Sequence, residues 1–162
     1  MTATQSITEN IVSADALLAH WQGHRGLTRK TIEAFPEDKL FTYSVGGMRP
    51  FAELVSEFLG MAVPGVSGIA TGTWAAWADA KVSTTKAELL AQWDKATEEL
   101  NRIWPTIPLH RFEEKDVAFG QWPGTGLSFV QYFVDNEIHH RGQGYVYLRP
   151  LGIEPPAFSD RP

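Results

Sequence analysis

Residues 135–143 read Asp-Asn-Glu-Ile-His-His-Arg-Gly-Gln. This stretch places an acid, an amide, two histidines and a guanidinium within about two and a half helical turns. Residues four apart on a helix point the same way, so Asn136 and His140 share a face. With this spacing, two side chains of one helix can bind the same metal ion. The stretch therefore predicts a helix that carries a polar or metal-binding site.

Apolar side chains extend the same helical repeat outward on both sides of this stretch. The predicted helix runs from about Thr125 to about Arg149. The residues that recur at heptad-like steps along it are Phe129, Phe133, Asn136, His140, Gln143 and Tyr147. This spacing is typical of a helix with one buried face.

Three further segments show helical periodicity. They are residues 14–35, ended by Pro36; residues 50–63, ended by Pro64 and Gly65; and residues 83–104, capped by Ser83 or Thr84 and ended by Pro105. No strand alternation is strong enough to predict a sheet. Four amphipathic helices predict an all-α fold, a four-helix bundle forming a single domain over residues 1–162.

The connections differ in character. Residues 37–48 form a linker with the turn pair Gly46-Gly47, and residues 73–81 are either a short helix or an ordered loop. Residues 105–126 are a long connection, and loops of that length are often functional. The proline-rich tail from Pro150 onward is predicted to be extended.

Composition excludes several classes of function. The net charge of −5 argues against general nucleic-acid binding, which needs a basic face. The chain has no cysteine, which removes disulfides, thiolate ligands and a cysteine nucleophile. Residues 1–10 lack the pattern of a signal peptide, and the apolar stretch 58–70 is interrupted and too short to span a bilayer. These features predict a cytoplasmic protein without a membrane partner.

Several sequence motifs together resemble one known family. They are His-His-Arg-Gly-Gln at 139–143, Val-Tyr-Leu-Arg at 146–149, Leu-Gly-Ile-Glu-Pro-Pro at 151–156 and Gly-Met-Arg-Pro-Phe at 47–51. Over nearly its whole length the chain resembles the DinB (damage-inducible protein) family, part of the larger DinB/YfiT-like group whose members are regarded as metalloenzymes. The resemblance implies an up-down-down-up four-helix bundle, commonly dimeric, with a metal site of three histidines.

The resemblance also assigns the ligand positions. The second histidine of the fourth-helix pair matches His140, the first matches Asn136, and the second-helix ligand falls at Glu57. Two of the three expected histidines are thus replaced by oxygen ligands. One nitrogen and two oxygens remain a possible facial set for a divalent ion such as Zn, Ni, Mn or Fe. The alternative is a metal-free cluster in which Asn136 and His140 hydrogen-bond to a buried Glu57.

Other polar residues have two interpretations each. His24 lies on the apolar stripe of the first helix, where it is either a core residue or a replacement for a missing imidazole ligand. His20 is predicted at the rim, and His139 against a neighbouring helix or solvent. Glu137 and Arg141 have ion-pair spacing, either as a solvated or interhelical pair, or with Arg141 orienting an anionic substrate.

Two functional hypotheses of different class follow. The first is a metal-dependent enzyme acting on a small molecule, with the resemblance implying a low-molecular-weight thiol S-transferase or a hydrolase. The nearby Trp and Phe residues suit a small organic substrate. The second is a non-catalytic, homodimeric, stress-related bundle whose polar cluster is structural or lines a small-ligand pocket.

Overall fold

Five α-helices and one β-hairpin make up the fold of the computed structural model, which describes residues 12–81 and 83–161. The prediction that residues 1–10 are not a signal peptide concerns residues outside these ranges. The helices are α1 Ala14–Ala34, α2 Glu37–Thr42, α3 Phe51–Thr71, α4 Lys86–Ile103 and α5 Gly126–Leu148. The strands are β1 Lys115–Ala118 and β2 Trp122–Thr125, and two 3-10 helices, Trp104–Thr106 and Leu109–Phe112, precede them.

Local sequence explains where the long helices begin. The Ser13 hydroxyl accepts a hydrogen bond from the Ala16 N–H and caps α1. Thr85 caps α4 in the same way, one or two residues later than predicted. At α5, Thr125 and Ser128 form a reciprocal capping box. The four predicted helices are confirmed, with corrections to their ends.

The predicted end of the second helix at Pro64 is wrong. Helix α3 continues through Pro64 to Thr71 and ends at Gly72, which adopts the left-handed conformation with φ +72°. An interior proline costs about 3 kcal/mol because it removes one hydrogen bond and crowds the preceding turn. Val66 and Ile69, beyond the proline, are completely buried. Their burial contributes about 1.5–3 kcal/mol each and offsets that cost.

The prediction of no strand is wrong for the long connection before α5. Strands β1 and β2 pair antiparallel, with Lys115 opposite Thr125 and Ala118 opposite Trp122. Each strand has four residues and β2 contains a proline, so no alternating pattern was long enough to detect. Helix α2 was also missed, because it has only six residues and is too short to show a repeating pattern of apolar side chains.

The long helices pack so that α1 and α3 each contact both α4 and α5. Helix α3 has the length and mean hydropathy (1.4) of a membrane-spanning segment, but 67% of that stretch is buried within the protein, as expected of a core helix. Two apolar clusters fill the interior. One surrounds Trp21 and Phe133, and the other surrounds Phe51 and Trp93. The faces of α3 and α5 that meet between these clusters carry the polar residues described next.

Candidate functional site

Glu57 is the centre of a polar cluster between α3 and α5. Its Oε1 accepts a hydrogen bond from Asn136 Nδ2 at 2.9 Å and lies 3.4 Å from His140 Nε2. The Glu57 and His140 side chains are each 15% exposed. The structure therefore brings together three of the four residues predicted as ligands, although Glu57 and Asn136 are 79 residues apart in sequence.

The tautomer of His140 follows from its second contact. His140 Nδ1 lies 2.6 Å from Gln143 Oε1, which can only accept a hydrogen bond, so Nδ1 carries a proton. The Gln143 amide nitrogen faces Met48 Sδ at 3.8 Å, which is consistent with this orientation. In a neutral imidazole, Nε2 then presents a lone pair toward the Glu57 carboxylate. That contact is stabilised only when a proton or a metal cation lies between the two atoms.

Asn136 supplies a second sign of an incomplete polar set. Its Nδ2 donates to Glu57, whereas its Oδ1 is buried and has no hydrogen-bond partner among residues 12–81 and 83–161. A buried oxygen left without a partner costs about 1–3 kcal/mol. Such an atom in a functional cluster points to a ligand, an ion or a water that completes its bonding.

Arg49, which precedes α3, holds the other side of the carboxylate. Its guanidinium forms an ion pair with Glu57 Oε2. Burial alone would raise the pKa of the Glu57 carboxyl, but the hydrogen bonds from Arg49 and Asn136 and the nearby positive charges lower it below its ordinary value. Glu57 is therefore a carboxylate at neutral pH. Arg49 belongs to the Gly-Met-Arg-Pro-Phe motif at 47–51, and the family resemblance assigned it no role.

A cavity of about 630 Å³ opens beside this cluster, and Glu57 forms part of its wall. That volume lies within the range of small-molecule sites. Three charged residues line it, which are Arg49, Glu57 and Asp79. Most of the remaining wall is aromatic or apolar: Met61, Trp77, Phe119, Trp122, Phe129, Tyr132 and Phe133. Asp79 and the hairpin residues were not predicted at the site, because only the folded chain brings the loop after α3 and the hairpin to α3 and α5.

His24 does not join the Glu57 cluster. Its imidazole lies between two guanidiniums, with Nδ1 at 3.0 Å from Arg141 and Nε2 at 3.1 Å from Arg161. Burial, followed by the charges of Arg141, His20 and Arg161, lowers the pKa of His24 to about 4. The interpretation of His24 as a core residue agrees with this placement, whereas a position beside Glu57 and His140 does not.

Glu137 and Arg141 form a second, fully buried polar cluster with α1. Glu137 accepts hydrogen bonds from Trp21 Nε1 at 3.2 Å and from Thr28 Oγ1 at 2.6 Å, and Arg141 donates to the His24 carbonyl at 3.1 Å. Both charged side chains are at most 3% exposed. The solvated interpretation of this pair is wrong. The two side chains do lie between helices, but each bonds to α1 rather than to the other, and the salt bridge of Glu137 is with Arg25 at 3.8 Å.

These contacts determine how α5 is rotated about its axis. Glu137 directly follows Asn136, and Arg141 directly follows His140. Each therefore points about 100° further around the helix than the residue before it. Because their side chains bond to α1, Asn136 and His140 are turned toward α3. His139 is exposed, as one of its two interpretations predicted.

In the described parts of the chain, no group of three or more His, Asp or Glu side chains is arranged to hold a metal ion. The Glu57 cluster contains only two such residues, and its third member is the Asn136 amide. Any ion at this position would therefore depend on one imidazole nitrogen, one carboxylate and one amide oxygen.

Comparison with known proteins agrees with the fold. The DinB family model matches residues 8–161. A DinB-like protein from Bacillus cereus is 18% identical with a TM-score of 0.72, covering 88% of this chain and 95% of that chain. A DinB-like protein from Bacillus subtilis is 21% identical with a TM-score of 0.65, covering 90% and 94%. No curated protein matches the chain. At these identities the two structures show the fold alone.

Proposed function

The chain belongs to the DinB family, and we propose that it is a divalent-metal-dependent enzyme acting on a small organic substrate in the aromatic cavity. The proposal takes the four long helices as the up-down-down-up bundle implied by the family. The ion would be held by Glu57, Asn136 and His140. His24 is left out of the set because its ring nitrogens face guanidiniums.

The observation that carries the proposal is the orientation of His140. Metal-binding histidines almost always donate their other ring N–H to a fixed acceptor. Here Gln143 Oε1 is that acceptor, at 2.6 Å from Nδ1, and it leaves Nε2 directed at Glu57 Oε1. The buried Asn136 Oδ1, without a partner among the residues described, would complete the donor set. The residues therefore fit a divalent ion.

The donor types favour a hard or borderline ion. One imidazole and two oxygens suit Zn, Mn or Fe, and Ni is compatible with the same set. When bound, such an ion lowers the pKa of a coordinated water or thiol and polarises a substrate carbonyl. The family resemblance makes S-transfer from a low-molecular-weight thiol, or hydrolysis, the reaction class that we propose.

The remaining residues have roles that follow from their contacts. Gln143 holds the proton on His140 Nδ1 and keeps Nε2 available. Arg49 neutralises Glu57 Oε2 and, being partly exposed beside the cavity, is placed to bind an anionic group of a substrate. The aromatic walls give the organic part of a substrate an apolar surface to pack against.

A second candidate function rests on the ion pair between Arg49 and Glu57. A guanidinium already bound to the carboxylate competes with a divalent cation. In this alternative the cluster is metal-free, Asn136 and His140 hydrogen-bond to Glu57, and the cavity is a non-catalytic ligand pocket. The dimeric, stress-related role considered from sequence belongs to this alternative.

Metal content distinguishes the two functions. Purified protein is stripped with chelator, dialysed against Zn, Mn, Ni or Fe(II), and analysed for bound metal. We expect one ion per chain in the wild type and a loss of at least about tenfold in affinity for His140→Ala, in line with the removal of a metal ligand or its partners.

The chain offers closely matched controls. His139→Ala removes the exposed neighbouring imidazole, and Glu53→Gln alters an exposed carboxylate one turn before Glu57. Both should retain the ion. Wild type without bound metal, or equal metal in the His140→Ala and His139→Ala proteins, would establish the metal-free alternative.

A further inference from the structure

Three aromatic rings form a corner in the wall of the cavity. Trp77 and Phe119 have ring centroids 5.3 Å apart and planes at 81°, and Trp77 and Trp122 are 5.8 Å apart at 88°. Phe119 and Trp122 are 6.0 Å apart at 80°. Three nearly perpendicular planes that border one space enclose it on three sides. Trp122 is nevertheless 47% exposed, so the corner is open to solvent on one side.

The charged residues that line this cavity are more negative than positive. Glu57 and Asp79 are carboxylates, and Arg49 is the one cation among the residues that line this cavity. Arg49 is paired with Glu57. Asp79 is exposed, lies two residues after Trp77 and lines the same cavity, so its charge adds to the negative faces of the aromatic rings. This part of the cavity is therefore suited to a positive charge.

The backbone at Phe119 shows that the corner is built at some cost. Phe119 has φ +53°, the single non-glycine residue with positive φ in the described ranges. A bulky side chain rarely adopts that conformation because the backbone is strained there. The turn between β1 and β2 adopts it and thereby places the Phe119 ring, 6% exposed, against both Trp77 and Trp122.

We infer that this corner binds a substituted ammonium group, and that the substrate is a small organic cation of the quaternary or tertiary amine class. Aromatic faces with a nearby carboxylate are the recognised surroundings of such groups, because a quaternary ammonium has no N–H to donate and a tertiary ammonium has only one. The inference rests on the proposed function only in naming the cavity as the substrate site. The corner binds the cationic end, and the remainder of the substrate extends along the wall toward Glu57 and Arg49.

Choline and its uncharged isostere 3,3-dimethyl-1-butanol test this inference. Each is titrated into the full chain in the presence of EDTA, with binding followed by tryptophan fluorescence and calorimetry. We expect choline to bind at least about tenfold more tightly than the isostere, since cation–π attraction in a partly desolvated site has that magnitude. Equal affinities, or no saturable binding of choline, would overturn the inference.

Variants locate the binding. Trp122→Leu should weaken choline binding about tenfold, and Trp122→Phe should retain most of it because an aromatic face remains. Asp79→Asn should weaken choline binding severalfold, whereas Asp135→Asn, on the exposed face of α5, should not change it. Unchanged choline affinity in both Trp122→Leu and Asp79→Asn would place the ligand elsewhere and contradict the inference.

The outcome is separable from that of the proposed function. Selective choline binding by a protein that binds no metal supports the cation site and removes the metal enzyme. Stoichiometric metal binding without preference for choline over its isostere supports the metal site and removes the cation site.

Discussion

At Glu57, burial and hydrogen bonding act on one carboxyl in opposite directions. The hydrogen bonds and positive charges outweigh burial, so the pKa in the folded state lies below its ordinary value of 4.5. A carboxyl with a lowered folded pKa stabilises the protein above the unfolded pKa, and this contribution is lost as the pH falls through the folded pKa. The lowered pKa therefore predicts that the contribution of Glu57 to stability is lost in acid.

Glu57→Gln tests that contribution. In EDTA at pH 7 we expect the variant to be less stable by about 1–2 kcal/mol, because hydrogen bonds to a charged group are lost. Below about pH 4.5 the difference should shrink. Urea unfolding from pH 7 to pH 3 measures both. A difference that stays constant over this range, or a variant more stable at pH 7, would show that the carboxylate is not held by these partners.

Glu137 is the residue on which the interior charge balance depends. It is the carboxylate between Arg25, 3.8 Å away, and Arg141, and all three side chains are at most 3% exposed. Glu137→Gln leaves both guanidiniums without this charge. We expect a loss of about 3–5 kcal/mol in the free energy of unfolding, the cost of leaving a buried charge unpaired.

The matched control for Glu137→Gln is the exposed Glu53→Gln, for which we expect a change within about 0.5 kcal/mol. Urea denaturation at pH 7 compares the two. Similar small effects for both variants would mean that the buried cluster contributes little to stability, and that the rotation of α5 is determined by its apolar contacts instead.

The two polar clusters differ in how far the sequence could predict them. The i,i+4 spacing of Asn136 and His140, together with the family resemblance, was enough to predict that they meet Glu57. Glu137 and Arg141 have the same spacing but look like a surface pair. Their partners on α1 are more than 100 residues away in sequence, so only the folded chain shows that they are buried.

At the scale of elements, α3 positions the loop that carries part of the cavity. A Cβ on Gly60 would lie 2.4 Å from the Ala78 carbonyl oxygen and 3.0 Å from Asp79 Cα. The Ala80 N–H donates to the Ser56 carbonyl at 3.0 Å and holds the same segment against the helix. The positions of Trp77 and Asp79 in the cavity wall therefore depend on the absence of a side chain at Gly60.

Gly60→Ala is predicted to displace this loop. We expect a loss of about 1–3 kcal/mol in stability from overpacking, together with weaker binding of choline. The control is Gly142→Ala on α5, where a Cβ meets nothing within 4 Å. That change should stabilise the protein by about 0.4–1 kcal/mol, because alanine is the better helix former. Thermal unfolding and choline titration of both variants measure these effects, and a neutral Gly60→Ala would contradict the close packing.

The errors in the predicted elements have a common cause. Proline at position 64 is a reliable local signal for a helix end, but buried residues beyond it outweigh that signal. The hairpin was missed because each strand is too short for a periodic pattern. In both cases tertiary packing decided the structure, and a single sequence contains that information only indirectly.

At the scale of the whole molecule, the cavity combines α3, the loop after it, the hairpin and α5. The sequence predicted aromatic residues near a polar site but could not specify which of its nineteen aromatic residues would line it. The homodimer implied by the family resemblance stays a prediction, which sedimentation analysis of the purified chain would check. The cytoplasmic location stays a prediction as well.

The central claim is that Glu57, Asn136 and His140 together hold a divalent ion. Anomalous diffraction from a crystal grown with Zn tests it most directly. We expect an anomalous peak about 2.0–2.2 Å from His140 Nε2, a Glu57 carboxylate oxygen and Asn136 Oδ1. A map with no peak there, with Glu57 still paired to Arg49 and bonded to the Asn136 amide nitrogen, would contradict it.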